Sequence, residues 1–233
     1  MDINDEVRNT IRKSLGLSER TTQKTFSVTE AYVVEPKSYS LKTDFLSDKV
    51  KKAAGEKFES YTKTLNEVSA KLDTAPRNDA NSYSSEFRSL KADEARCMNE
   101  SFLMARFFDN IDDPSSQLSM DTLTFMRLER DFGTFDDWQK DFIACAMASR
   151  GGFVVTVYNS LMKRYMNLMV DDGGVNIPIG VWPIIALDVS EGAYFRDYVD
   201  DRKTYVIAMM KELNWDVIEK RVKKAERIAK SLT

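Results

Sequence analysis

An α+β fold is predicted, with a long N-terminal helical hairpin followed by a helical domain that holds a three-stranded antiparallel sheet. Three observations predict it. Apolar residues recur at helical spacing through residues 43–72 and 83–108, on either side of a loop rich in Asp, Asn and Pro. Short runs rich in Val, Tyr, Met and Ile then occupy 153–158, 164–170 and 181–187. Helical patterning returns to close the chain. The resulting division is an N-terminal extension over 1–40, the hairpin over 41–112 and the mixed domain over 113–233.

Each element has its own residue-level reason. Val7, Ile11 and Leu15, four residues apart, predict a short amphipathic helix over 4–16. Phe26, Val28, Thr29, Tyr32 and Val33 favour extended chain over 25–34, closed by Pro36. In the first long helix Leu46, Val50, Ala53, Phe58, Tyr61, Leu65, Val68 and Leu72 make the stripe, interrupted at Gly55. Pro76, Asn78, Asp79 and Asn81 mark 73–82 as the hairpin loop. The second long helix sets Phe87, Leu90, Cys97, Met104 and Phe108 on one side and ends near Asp112-Asp113-Pro114. Shorter helices follow at 118–130 and 135–148, the latter opening on Thr134 with Asp137 three residues on, a capping box with Asp in place of Glu. The last helices fall at 202–213 and 216–232. Gly151-Gly152 and Gly173-Gly174 are isolated pairs that suit turns or strand starts better than a phosphate cradle.

Composition narrows the function classes. The chain has 233 residues, is 42% hydrophobic and 30% charged, and carries a net charge of -3. Such a small charge gives no global attraction to nucleic acid or to an anionic membrane surface. The basic run from Lys220 to Lys230 interleaves with Val222, Ala225 and Ile228, as on the solvated face of a terminal helix. Cys97 and Cys145 sit among Ala and Met and read as buried free thiols, which favours a reducing compartment. No apolar run is long enough for a membrane span, and the acidic start lacks a signal or transit pattern, so the protein is expected to stay where it is made. Histidine is absent altogether. That removes serine–histidine and cysteine–histidine nucleophile pairs, facial-triad iron sites and the common catalytic zinc sites.

Several motifs in order resemble the iron/manganese superoxide dismutase family. Phe132-Gly133-Thr134-Phe135-Asp136 is similar to that family's Phe-Gly-Ser-Phe-Asp, and Arg150-Gly151-Gly152-Phe153 stands where it has Gly-Ser-Gly-Trp. Leu187-Asp188-Val189-Ser190-Glu191-Gly192-Ala193-Tyr194 resembles Leu-Asp-Val-Trp-Glu-His-Ala-Tyr, with Tyr198, Arg202 and Asn214-Trp215-Asp216 following. Tyr61-Thr62-Lys63-Thr64-Leu65-Asn66 resembles Tyr-Val-x-x-Leu-Asn in the first helix. The likeness covers roughly residues 28–222 and is strongest in the C-terminal half.

The resemblance implies a metal held by three histidines and one aspartate, and the carry-over of those ligands is mostly negative. The first ligand, eight residues before the tyrosine, falls on Ala53, and the second falls on Glu100 within Asn99-Glu100-Ser101. Asp188 survives, and the last histidine is Gly192. Neither Arg96 nor Val175 replaces the glutamine that holds the metal's solvent. Two carboxylates without imidazole are a poor match for a redox iron or manganese ion. Glu100 reads as a buried carboxylate satisfied by Arg96, Arg150 or a backbone donor, and Tyr61, Trp182 and Phe153 read as core. The dimer bridge is altered too: Glu191 remains, but Gly192 replaces its partner, and Lys57 or Phe58 and Phe195 stand at the other bridging positions.

The expectation from sequence is therefore a non-catalytic family member without catalytic, cofactor-binding or metal-binding residues and without a cofactor. Its role would be that of a structural or assembly subunit of a large complex, with a bacteriophage virion component as the preferred case, located in a virion or the cytoplasm. Its partners would be other protein subunits rather than a small-molecule substrate, a membrane or nucleic acid, with the 4–16 helix as an attachment arm. Two alternatives stand beside it: an enzyme with a carboxylate metal site rebuilt on Asp188 and Glu100, and a regulatory module that binds through its basic C-terminal helix.

Overall fold

Ser47 opens the first helix by accepting a hydrogen bond from the Val50 amide at 3.4 Å, and helix α1 then runs without a break over Asp48–Thr74. Gly55 does not interrupt it, because Val50, Phe58, Thr62, Leu65, Val68 and Leu72 give a buried stripe on both sides of the glycine. Ala53, expected in that stripe, is exposed. The chain is described here by a computed structural model over residues 39–111 and 116–232. The expected helix at 4–16, the extended segment at 25–34 and the turn at 112–114 lie outside the described residues.

The hairpin loop is held by side chains that satisfy otherwise orphaned backbone groups. Arg77 donates to the carbonyls of Leu72 and Ala75, and Asn81 Oδ1 accepts from the amides of Tyr83 and Ser84. Ser85 caps helix α2, Glu86–Asn110, through the Arg88 amide. Helices α1 and α2 pack together, with Leu103, Met104, Phe107 and Phe108 of α2 among the most buried side chains. The Phe108 ring stacks on Tyr39 at 5.0 Å.

Helix α3, Leu123–Phe132, starts at a Thr122 cap and ends at Gly133, whose φ of 97° is the left-handed conformation that glycine adopts freely. Helix α4, Phe135–Ala148, has the bounds predicted for it. Its Thr134 Oγ1 accepts from the Asp137 amide at 3.0 Å and donates to Asp137 Oδ2 at 2.7 Å, so the reciprocal contact goes to the hydroxyl and not to the cap's backbone N–H. Substituting Thr134→Ala is expected to lower stability by about 1 kcal/mol, read as an earlier urea midpoint at unchanged slope.

The sheet has three strands, and both of its pairings are antiparallel. Strand β1, Gly151–Asn159, lies in the centre and is buried from 152 through 158, so both of its faces are covered. Strand β2, Arg164–Asp171, lies at one edge and buries Tyr165, Asn167 and Val170. Strand β3, Val181–Asp188, lies at the other, where Pro183 is tolerated next to an irregularity opposite Thr156 and Val157. Beneath β1 the Trp138 indole donates to Thr156 Oγ1 at 3.0 Å, and that hydroxyl donates to Asn167 Oδ1 at 2.6 Å. Asn167 Nδ2 closes the network on Asp141 Oδ2 at 2.9 Å, so the buried polar atoms are paired.

Three helices follow the sheet. Helix α5, Glu191–Tyr198, was not expected as a separate element. Helix α6, Arg202–Lys211, and helix α7, Trp215–Leu232, stand where helical patterning placed them. Val222, Ala225 and Ala229 bury the inner face of α7, and part of its basic run is used internally: Arg221 turns inward and Lys223 pairs with Glu219 at 3.0 Å. The α+β class, the hairpin and the three-stranded antiparallel sheet agree with the sequence reading. Among the described residues no helix is long and apolar enough to cross a membrane.

Candidate functional site

Three elements converge where the hairpin meets the end of the sheet. On α1, Ala53, Lys57 and Tyr61 are spaced four residues apart and share one helix face. Helix α2 contributes Glu100 from its buried side, and β3 delivers Asp188 at its last position, with Ser190 just beyond. Glu100 and Asp188 are each only 2% exposed.

Asp188 is the hub. Its Oδ2 accepts from Lys57 Nζ at 3.0 Å and its Oδ1 from the Ser190 amide at 2.9 Å. Lys57 Nζ also donates to Ser190 Oγ at 3.0 Å and lies 6.0 Å from the Tyr61 ring centre and 5.9 Å from that of Phe153. Tyr205 fixes the strand end by donating its hydroxyl to the Asp188 carbonyl at 2.7 Å. Glu100 Oε1 accepts from the Gly173 amide at 2.8 Å, which pins the loop after β2. Asn99 holds the same loop through the Gly174 carbonyl at 2.9 Å, and Arg96 reaches Asp172 at 3.2 Å. Gly174 has a φ of 63°, and a Cβ there would lie 2.7 Å from Asn99 Cβ, so glycine is required for this close approach.

Burial and charge act against each other in this cluster. Burial alone would lower the Lys57 pKa, but the charge and hydrogen bond of Asp188, with Tyr61 and Glu100 behind them, turn the net shift upward and keep the ammonium charged. Burial raises the Glu100 carboxyl above its ordinary range, against the pull of Lys57 and the Gly173 amide. The Tyr61 phenol is raised as well, first by burial and then by Glu100 and Asp188, with Lys57 opposing.

The residues named from sequence are thus partly assembled. Asp188 is paired with Lys57, while the donor to Glu100 is a backbone amide, with Arg96 committed to Asp172. Phe153 is fully buried, whereas Tyr61 and Trp182 are half-buried. Ala53 and Gly192, at the first and last histidine positions, are exposed, and a Cβ on Gly192 would meet nothing within 4 Å. Sequence reasoning considered Lys57 only as a dimer-bridging position. Its site role was signalled by its place one turn from both Ala53 and Tyr61.

The iron or manganese ion implied by the resemblance does not fit these residues. An ammonium sits against the one retained ligand, Ala53 and Gly192 offer no donor, and Glu100 is engaged by Gly173. Among the described residues no group of three His, Cys, Asp or Glu side chains could hold a metal ion.

Comparison with known proteins finds similarity to one family, strongest in the C-terminal half. Residues 122–221 match the family described as iron/manganese superoxide dismutases, C-terminal domain. The manganese superoxide dismutase of Haloarcula marismortui is 33% identical over 132 residues, which is 57% of this chain and 61% of that protein. The iron superoxide dismutase of Aquifex pyrophilus is 29% identical over 178 residues, covering 75% and 83%. The manganese superoxide dismutase of Mycolicibacterium smegmatis is 33% identical over 95 residues, covering 40% and 46%. These similarities correct the expectation of a non-catalytic pseudoenzyme serving as a structural or virion subunit. The relatives are enzymes by name, and nothing in them points to a virion or a structural role. Loss of imidazole had been equated with loss of a centre, yet a buried, charged cluster remains where Asp188 is retained.

Proposed function

We propose that this chain, similar over residues 122–221 to the iron/manganese superoxide dismutases, is an enzyme acting on superoxide at a centre rebuilt around Lys57, Glu100 and Asp188. The observation that carries this reading is the position of the ammonium. Lys57 Nζ spends two of its three donors on Asp188 Oδ2 and Ser190 Oγ, each at 3.0 Å, which leaves one donor for a small anion. The side chain as a whole is 29% exposed.

The chemistry balances without an outside oxidant or reductant. One superoxide is bound at the ammonium and accepts an electron from a second, which leaves as dioxygen. The bound molecule becomes peroxide and takes two protons from solvent to leave as hydrogen peroxide. The obstacle is repulsion between two like charges, about 4 kcal/mol at 4 Å in the screened environment near a protein surface. A fixed positive charge beside the first anion offsets a comparable amount, and about 4 kcal/mol corresponds to a rate factor of about a thousand. Asp188 and Ser190 hold the ammonium in place, and Tyr61 and Phe153 flank it. The free thiols Cys97 and Cys145 support a cytoplasmic setting for this activity.

Superoxide decay followed after pulse radiolysis, in the presence of a strong chelator, tests the proposal. The wild-type protein is expected to accelerate decay over an equal mass of an inert protein, and Lys57→Met to lose about tenfold or more of that acceleration. A wild-type protein that leaves the decay unchanged overturns it.

A further inference from the structure

We infer that Lys57 is a tethered replacement for the metal ion: the chain supplies its own cation to the retained aspartate, and this closes the centre to iron and manganese. Asp188, buried at the end of β3, meets the Lys57 ammonium carried by α1, and Glu100 lies buried on α2. A buried carboxylate requires a partner charge, and Lys57 supplies it to Asp188. Its ammonium approaches Asp188 Oδ2 at 3.0 Å, and Ser190 Oγ secures it from a second direction at 3.0 Å. A divalent ion reaching this carboxylate would stand within a few ångströms of a fixed positive charge and would have to displace it. The side chains around it are arranged for the exchange: Ala53 and Gly192 supply no ligand, while Tyr61 and Phe153 present ring faces to an ammonium.

The inference makes metal selectivity depend on one side chain. With Lys57 present the melting temperature should not respond to manganese or magnesium chloride, and dialysis against manganese should leave no stoichiometric metal. Lys57→Ala leaves the buried Asp188 carboxylate, a hard oxygen ligand suited to such cations, without its cation. The variant should melt lower than wild type, regain several degrees in manganese chloride and retain about one manganese per chain. The double variant with Asp188→Asn should lose that response. Where Lys57→Ala does not fold unaided, its soluble yield with and without added manganese becomes the readout, and rescue supports the inference. Stoichiometric manganese in the wild type, or a Lys57→Ala protein indifferent to manganese in melting and in yield, overturns it. These readouts are independent of turnover. A wild-type protein inert toward superoxide, beside a manganese-responsive Lys57→Ala, would reject the proposed activity and retain this inference.

Discussion

Replacing Arg221 by methionine is expected to lower the unfolding free energy by about 3–5 kcal/mol. The guanidinium on α7 donates to Asn110 Oδ1, to the Ile184 carbonyl at 2.9 Å and to Asp109 Oδ2 at 2.9 Å, and its side chain is 9% exposed. Three segments meet in it: the last turn of α2, the middle of β3 and α7. Burial and the neighbouring Arg106 charge bring its pKa down to about 10 against the pull of Asp109, so it remains charged near neutral pH. Methionine keeps much of the apolar stem but leaves the Asn110 and Ile184 acceptors buried without this donor, and that loss dominates. Urea unfolding of the purified variant measures the change. A loss below about 1 kcal/mol, the value for an ordinary exposed ion pair, would show that the cluster contributes little.

The second large effect is expected at Gly152. A Cβ there would lie 2.2 Å from the Val170 carbonyl oxygen and 2.6 Å from the Asp171 carbonyl atoms. All of these are backbone atoms, so no rotamer change relieves the clash, and β1 or β2 has to move. Gly152→Ala should therefore cost about 3 kcal/mol. The displacement should also reach the site: the Gly152 carbonyl accepts from the Val189 amide at 2.9 Å, and Phe153 pairs with Asp188 across the sheet. Unfolding measurements give the energy, and amide exchange at Val189 reports the displacement. A variant with wild-type stability and unchanged exchange at Val189 would contradict the close packing described here.

Much of the scaffold was legible because its signals are local. The stripes of α1 and α2, the Thr134 cap and the β-branched runs of the strands depend on neighbours a few residues away, and the observed elements follow them to within a few residues. Helix α5 was missed for the same reason. It buries only Ala193 and Tyr194, has Gly192 in its first turn and draws no side-chain cap from Ser190, so it carries no periodic stripe and no start signal. At the site, Asp188 and Glu100 could be named from motifs, but their partners could not. The Gly173 amide lies 73 residues from Glu100 and the Lys57 ammonium 131 residues from Asp188, and no local pattern reports such pairings. A lysine on an amphipathic helix reads as a solvated charge until the tertiary fold shows what it faces.

That separation along the chain also sets a timetable for synthesis. Lys57 leaves the ribosome long before Asp188 is made, and the 131 residues between them take roughly 7–26 s at bacterial to eukaryotic elongation rates of about 5–20 residues per second. During that interval α1 and α2 can pair, but the ammonium has no aspartate to meet and the hairpin cannot lock onto the sheet. The Lys57–Asp188 contact therefore forms only after β3 has been made. Arrest-peptide stalls placed along the gene should register docking of the hairpin only after Asp188 has cleared the exit tunnel.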